Sequence, residues 1–138
     1  AAQVLGTLGV GELRLIAPDE LMPDAAEFPG ALRFGSIDEG IDHADVVMIL
    51  RIQNERMEQA RIPDSAGYFE RFGLTPERLR RARSEAIVMH PGPMNRGVEI
   101  ASEVADGPQS VIRRQVANGV AVRMAVLAHL AAARRSRG

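Results

Sequence analysis

Residues 45–50 read DVVMIL, and residues 51–56 read RIQNER. Five apolar side chains follow one acid without a break and then give way to charge. A strand with one wet face alternates apolar and polar residues, whereas a strand covered on both faces of a parallel sheet does not. The run is therefore read as a buried strand that delivers charged groups at its carboxyl end. Three other segments look alike: ELRLIAP (12–18), closed by a proline, ALRF (31–34), and EAIVMHPGP (85–93).

Helical signals lie between and around these runs. Val4, Leu5 and Leu8 have helical spacing, and Gly9 and Gly11 supply a stop. DELMPDAAEF (19–28) holds a helical turn or two around Pro23. Ser36 is placed as an N-cap, with Glu39 at the capping-box position. Thr75 followed by Pro76 starts another helix through Leu79. The longest candidate covers residues 110–133, with Val111, Val116, Val120, Met124, Leu127 and Leu130 recurring near helical spacing and Gly119 weakening its middle. Strands alternating with helices predict an α/β fold: a parallel sheet of about four strands, flanked by helices and connected right-handedly, with a long C-terminal helix. The length of 138 residues fits one domain.

Composition narrows the chemistry. A net charge of −1 gives no field directed at nucleic acid or an anionic membrane. RLRRAR (78–83) is read as a solvated helix face. There is no cysteine, which removes thiol catalysis and thiolate metal sites and fits a reducing, cytoplasmic setting. No uninterrupted apolar run nears the ~20 residues of a bilayer span, and the N-terminus has no basic segment ahead of an apolar stretch. GVGELR lacks the complete dinucleotide fingerprint and does not follow a strand. No cofactor and no metal are expected.

Ligands of parallel α/β sheets bind beyond the carboxyl ends of the strands. Two such ends carry polar chemistry. At the first, Arg51 offers a planar fork of donors suited to a carboxylate, and Gln53 adds an amide that both donates and accepts. The alternative is that Arg51 pairs with Glu55 or another acid and only solvates the loop. At the second, Pro91 and Pro93 lack N–H groups, so HPGP presents chiefly carbonyl oxygens, acceptors for a ligand amine or amide. The alternative is a rigid turn. His90 is a base, a ligand or, most commonly for such a residue, a packed core histidine. Asn95 and Arg96 fix the loop or contact a neighbour, with Glu99 as a partner for either.

RIQNER and HPGPMNRGVEI, together with YFERFGLTPERL and QVANGVAVRMAVL, resemble the aspartate carbamoyltransferase family in its second, Rossmann-like aspartate/ornithine-binding domain. The resemblance runs from about Val4 to Leu130. It implies transfer of a carbamoyl group from carbamoyl phosphate to L-aspartate, an early step of pyrimidine synthesis. By the same resemblance Arg51 grips an aspartate carboxylate and Gln53 helps to place the substrate. Arg56 supports a mobile loop covering residues 57 to 72. The carbonyls of Pro91 and Gly92 hold the carbamoyl amide and the aspartate amine, Pro93 completes the bend, and His90 is structural. The long helix crosses back to the other domain.

No residue of the chain is assigned a catalytic role. The family's Ser-Thr-Arg-Thr phosphate loop and its carbamoyl-phosphate domain are not among these 138 residues. The first strand of the aspartate domain is expected before Ala1. The expectation is thus an incomplete domain of a longer chain, inactive by itself. The resemblance further implies a homotrimer and, as partners, dihydroorotase or a regulatory subunit. Two rivals stand beside this reading. One is an ornithine-type enzyme, whose His-Cys-Leu-Pro loop would need a cysteine. The other is a non-catalytic amino-acid-binding or assembly module.

Overall fold

The computed structural model describes residues 2–52 and 65–135. Helix α1 (Ala2–Thr7) comes first and ends at Gly9, whose φ is +75°. Strand β1 (Arg14–Ile16) leads into single 3-10 turns at Asp19–Leu21 and Ala25–Glu27, then strand β2 (Leu32–Phe34). The second of these turns is capped by Asp24, whose side chain accepts from the Ala26 N–H at 3.0 Å. Helix α2 (Ile37–Gly40), strand β3 (Val46–Met48), helix α3 (Ser65–Phe72) and helix α4 (Pro76–Leu79) follow. Strand β4 (Ile87–Met89), helix α5 (Ser102–Ala105) and helix α6 (Ile112–Arg135) complete the order.

Among the described residues the strands number four and every pairing is parallel, but they form two ladders: β1 with β2, and β3 with β4. Among the described residues no ladder joins β1 to β3. The two halves share one core through Ile16, Ile37, Ile41, Val47, Val88 and Ile100. Gly40 lets α2 lie against the first ladder, since a Cβ there would sit 2.5 Å from Ile16 Cδ1.

Strand β4 is hydrogen-bonded on both edges. One edge pairs with β3. On the other, Val88 accepts from the Val111 N–H at 3.0 Å and donates to the Gln109 carbonyl at 2.8 Å. Val88 is fully buried. Strand β3 departs from the expectation of two covered faces. Val47 is buried, while Val46 and Leu50, on the opposite face by strand alternation, are half exposed.

Helix ends show both agreement and correction. Thr75 caps α4 as expected, accepting from the Arg78 N–H at 3.3 Å, with Pro76 at the first helical position. Ser36 precedes α2 but makes no side-chain cap bond. Arg78, read as part of a solvated face, instead closes the end of α3. Its guanidinium donates to the carbonyls of Gly73 and Glu70 at 2.7 Å each and of Phe69 at 3.3 Å, at the carboxyl end of the helix where carbonyls run short of helical partners.

Helix α6 is the longest described element, and Ile112 is its one buried residue. Val120, Met124, Leu127 and Leu130 are exposed. By length and composition α6 could cross a membrane. Asn118, Arg123 and His129 interrupt its apolar run, so no unbroken stretch of that length stands in the sequence.

Candidate functional site

The two polar strand ends leave the same end of the second ladder. Strands β3 and β4 are parallel with Met48 opposite Met89, so their carboxyl ends point the same way. Ile49 N–H donates to the Met89 carbonyl at 2.9 Å, extending the ladder by one bond. Arg51 stands three residues beyond Met48, and Pro91 two beyond Met89. Arg51 is exposed, and its side chain has no ion pair among the described residues. The next residue, Ile52, is buried and anchors the segment. Gln53, Arg56, Glu55 and the loop from 57 to 64 lie outside the described residues; residues 65–72 of the expected loop are helix α3.

The HPGP bend is built from below. Gly92 has φ +67°, a left-handed value that disfavours a side chain, and its bond to Pro93 is cis. A Cβ at Gly92 would lie 3.5 Å from Val116 Cγ2, so the bend rests on the first turns of α6. Pro91 and Pro93 have no N–H, and the Gly92 N–H donates inward to His90 Nδ1 at 2.9 Å. Among the described residues, no hydrogen bond reaches the carbonyl oxygens of Pro91, Gly92 or Pro93. The exposed bend is therefore a set of acceptors without donors, suited to N–H groups of a ligand.

His90 is a packed histidine, fully buried. Its backbone N–H donates to Gln115 Oε1 of α6 at 2.9 Å. Since Nδ1 accepts from Gly92, the ring proton sits on Nε2, which faces Glu99 Oε1 at 3.2 Å. The same carboxylate oxygen accepts from the Asn95 N–H at 2.5 Å. Glu99 is 1% exposed, and its other oxygen, Oε2, is buried with no partner. Of the partners expected for Glu99, Asn95 binds it through its backbone. Arg96 does not: it forms a two-bond pair with Asp106 at 2.7 and 3.0 Å. That hydrogen-bonded pair raises the Arg96 pKa and lowers the Asp106 pKa. Tyr68 of α3 also lies near Glu99. Burial chiefly, and the Glu99 charge second, push its hydroxyl up to about 12.

Gln115, Tyr68 and the His90–Glu99 pair were not legible as partners of the bend. Gln115 is 25 residues from His90 in the chain, and no local spacing marks such a contact. Among the described residues no group of three or more His, Cys, Asp or Glu could hold a metal. Two broad surface depressions lie elsewhere, one beside Asp38, Phe69, Thr75 and Arg78, the other beside Ile87, Gln109 and Arg113. Neither includes Arg51 or the bend, and both are open rather than enclosed.

Comparison with known proteins fits this architecture. Residues 4–130 match the sequence model described as the Asp/Orn-binding domain of aspartate/ornithine carbamoyltransferase. Among solved structures, the chain is similar to aspartate transcarbamoylase from Trypanosoma cruzi, at 31% identity and TM-score 0.67, over 83% of this chain and 38% of that one. It is also similar to ornithine carbamoyltransferase from Pyrococcus furiosus, at 25% identity and TM-score 0.72, over 91% and 43%. The corresponding enzyme from Burkholderia thailandensis gives 26% identity and TM-score 0.65, over 91% and 40%. The chain thus spans about two fifths of the length of these structures. Carbamoyl phosphate and an amino acid fit as the substrates of such proteins. With its parallel ladders, its two polar strand ends and a match over nearly its whole length, the chain belongs to the aspartate/ornithine carbamoyltransferase family.

Proposed function

We propose that this chain supplies the amino-acid-binding half of an aspartate carbamoyltransferase, making N-carbamoyl-L-aspartate and phosphate in pyrimidine synthesis. The observation that carries the reading is the emergence of Arg51 and the donor-free Pro91–Pro93 bend from the same end of one parallel ladder. A cation for a carboxylate and acceptors for an amine and an amide are what an amino diacid and a carbamoyl group require. Arg51 and Gln53 hold aspartate, the carbonyls of Pro91 and Gly92 orient the two nitrogens, Pro93 fixes the bend, and Arg56 supports the adjoining loop. The aspartate amine attacks the carbamoyl carbon; the new C–N bond forms, the C–O bond to phosphate breaks, and the amine loses a proton. Rate enhancement comes from positioning and from stabilised charge.

The phosphate-binding groups lie in a domain outside these 138 residues. A strand from outside them also lies between β1 and β3, restoring the order of a doubly wound sheet in which the first strand is central. Homotrimer formation, and association with dihydroorotase or a regulatory subunit, belong to that longer protein. So does a cytoplasmic location.

Ornithine is the second reading, favoured by the higher TM-score of the Pyrococcus furiosus enzyme. Aspartate is preferred because the Trypanosoma cruzi aspartate enzyme is the more identical relative, and no cysteine stands in the HPGP loop. The deciding assay joins the chain to its carbamoyl-phosphate half and supplies carbamoyl phosphate with either amino acid. Carbamoyl-aspartate is the expected product, with Arg51→Ala raising the aspartate KM about 100-fold, the scale of a lost charge-assisted pair. Citrulline from ornithine would overturn the choice of substrate. Turnover by the 138 residues alone would overturn the need for a second half. Binding of aspartate without any turnover by the joined protein would favour an amino-acid-binding module.

A further inference from the structure

We infer that His90 and Glu99 are positioning residues that keep the Pro91–Pro93 bend free of donors and facing outward. The inference rests on the proposed function for its consequence, and on geometry for its substance. Of the three residues in the bend, Gly92 alone has an N–H. Without a partner, that group is a donor in the bend that nothing holds inward, and turned outward it would repel a ligand N–H. His90 Nδ1 captures it at 2.9 Å.

The imidazole can accept there because its proton is held on Nε2, where Glu99 Oε1 lies 3.2 Å away. A carboxylate fixing the tautomer of a neighbouring imidazole is a general means of orienting functional groups. Glu99 Oε1 also binds the Asn95 N–H, and the Gln115 side chain holds the His90 N–H. The loop from 90 to 99 is therefore tied at its start, at its middle and near its end. Packing alone does not account for the pair. An apolar side chain would fill the space without burying Glu99 Oε2 unpartnered, an arrangement that costs stability.

Two near-isosteric variants separate orientation from packing. His90→Asn places an amide oxygen near the position of Nδ1 and retains an acceptor for Gly92. His90→Gln places an amide nitrogen near Nε2, retains the donor to Glu99 and loses that acceptor. In the chain joined to its carbamoyl-phosphate half, His90→Gln is expected to raise the carbamoyl phosphate KM about tenfold or more, with His90→Asn restoring most of the loss. In parallel, the Gly92 amide should exchange with solvent faster in His90→Gln than in wild type or His90→Asn. Equal KM values and equal Gly92 exchange in the two variants would overturn the inference.

Two controls keep the outcomes apart. If the wild-type joined protein carbamoylates neither amino acid, the proposed function fails, while Gly92 exchange in the 138-residue chain still decides the inference. If His90→Gln does not fold, the wild-type imidazole decides it through its nitrogen chemical shifts. A proton on Nε2 is expected, and a proton on Nδ1 overturns the inference.

Discussion

Tyr68 of α3 lies near the carboxylate beneath the bend, and the effect on its hydroxyl can be measured. Burial and the charge of Glu99 raise its hydroxyl from the usual 10.0 to about 12. In the unfolded chain the phenol ionises near 10, while in the folded chain it stays protonated. Between those values the folded state binds more protons, so stability falls as pH rises; below 10 the contribution is fully present. Two pH units correspond to at most about 3 kcal/mol, less where water reaches the ring. Urea midpoints at pH 9 and pH 11 are therefore expected to fall more for wild type than for Tyr68→Phe. An equal fall in both would show that Glu99 and burial do not act on this phenol. The sequence made the chemistry of Arg51 and the two prolines readable, because a guanidinium is a donor and a proline N is not wherever they stand. It hid Gln115 and Glu99 as partners of one histidine, and Tyr68 as a neighbour of Glu99. Their contacts are set by how α3 and α6 pack, and no residue spacing encodes that.

Element ends follow local rules only where tertiary packing leaves the cap free to act. Thr75 and Ser36 are chemically similar hydroxyls ahead of a helical turn, yet Thr75 binds the Arg78 N–H and Ser36 binds no orphan donor of α2. Helix α4 starts with a fixed proline φ and has Arg78 anchored to three carbonyls of the preceding turn, so its cap geometry is held. Helix α2 is a single turn pinned by close packing of Gly40 on β1 and β2. Thr75→Ala is accordingly expected to cost about 1 kcal/mol, the usual value of an N-cap, and Ser36→Ala less than about 0.5 kcal/mol. Equilibrium urea unfolding measures both. Equal costs would mean that the Ser36 hydroxyl acts on α2 after all. The strands were legible from their apolar runs, and at β4 the full burial of Val88 agrees with that signal. For β3 and α6 the same apolar signal marks surfaces that are exposed in this chain.

At the scale of the whole molecule, β1 and β3 each leave one edge without a ladder partner among the described residues. In a parallel ladder a residue directs its N–H and C=O to the same side, and successive residues alternate. Leu13 and Ala17 bond to β2, so Arg14 and Ile16 turn their backbone groups to the other edge of β1. Asp45 and Ile49 bond to β4, so Val46 and Met48 do likewise at the free edge of β3. Among the described residues β1 and β3 thus each have one edge bonded within its ladder and one open edge, and an open edge pairs readily with another strand. Doubly wound sheets place their first strand in the centre, with the later strands extending to either side. Under the proposed function, a fifth strand from outside the 138 residues lies between β1 and β3, and the neighbouring domain covers the apolar face of α6. Hydrogen exchange tests this without reference to catalysis. The amides of Arg14, Ile16, Val46 and Met48 are expected to exchange quickly in the 138-residue chain. They should become protected, roughly to the level of Val88, in the longer protein. Amides of Leu15 and Val47, already directed into their ladders, should change far less. Fast exchange at all four edge amides in the longer protein would place the fifth strand elsewhere and leave the two ladders as separate sheets.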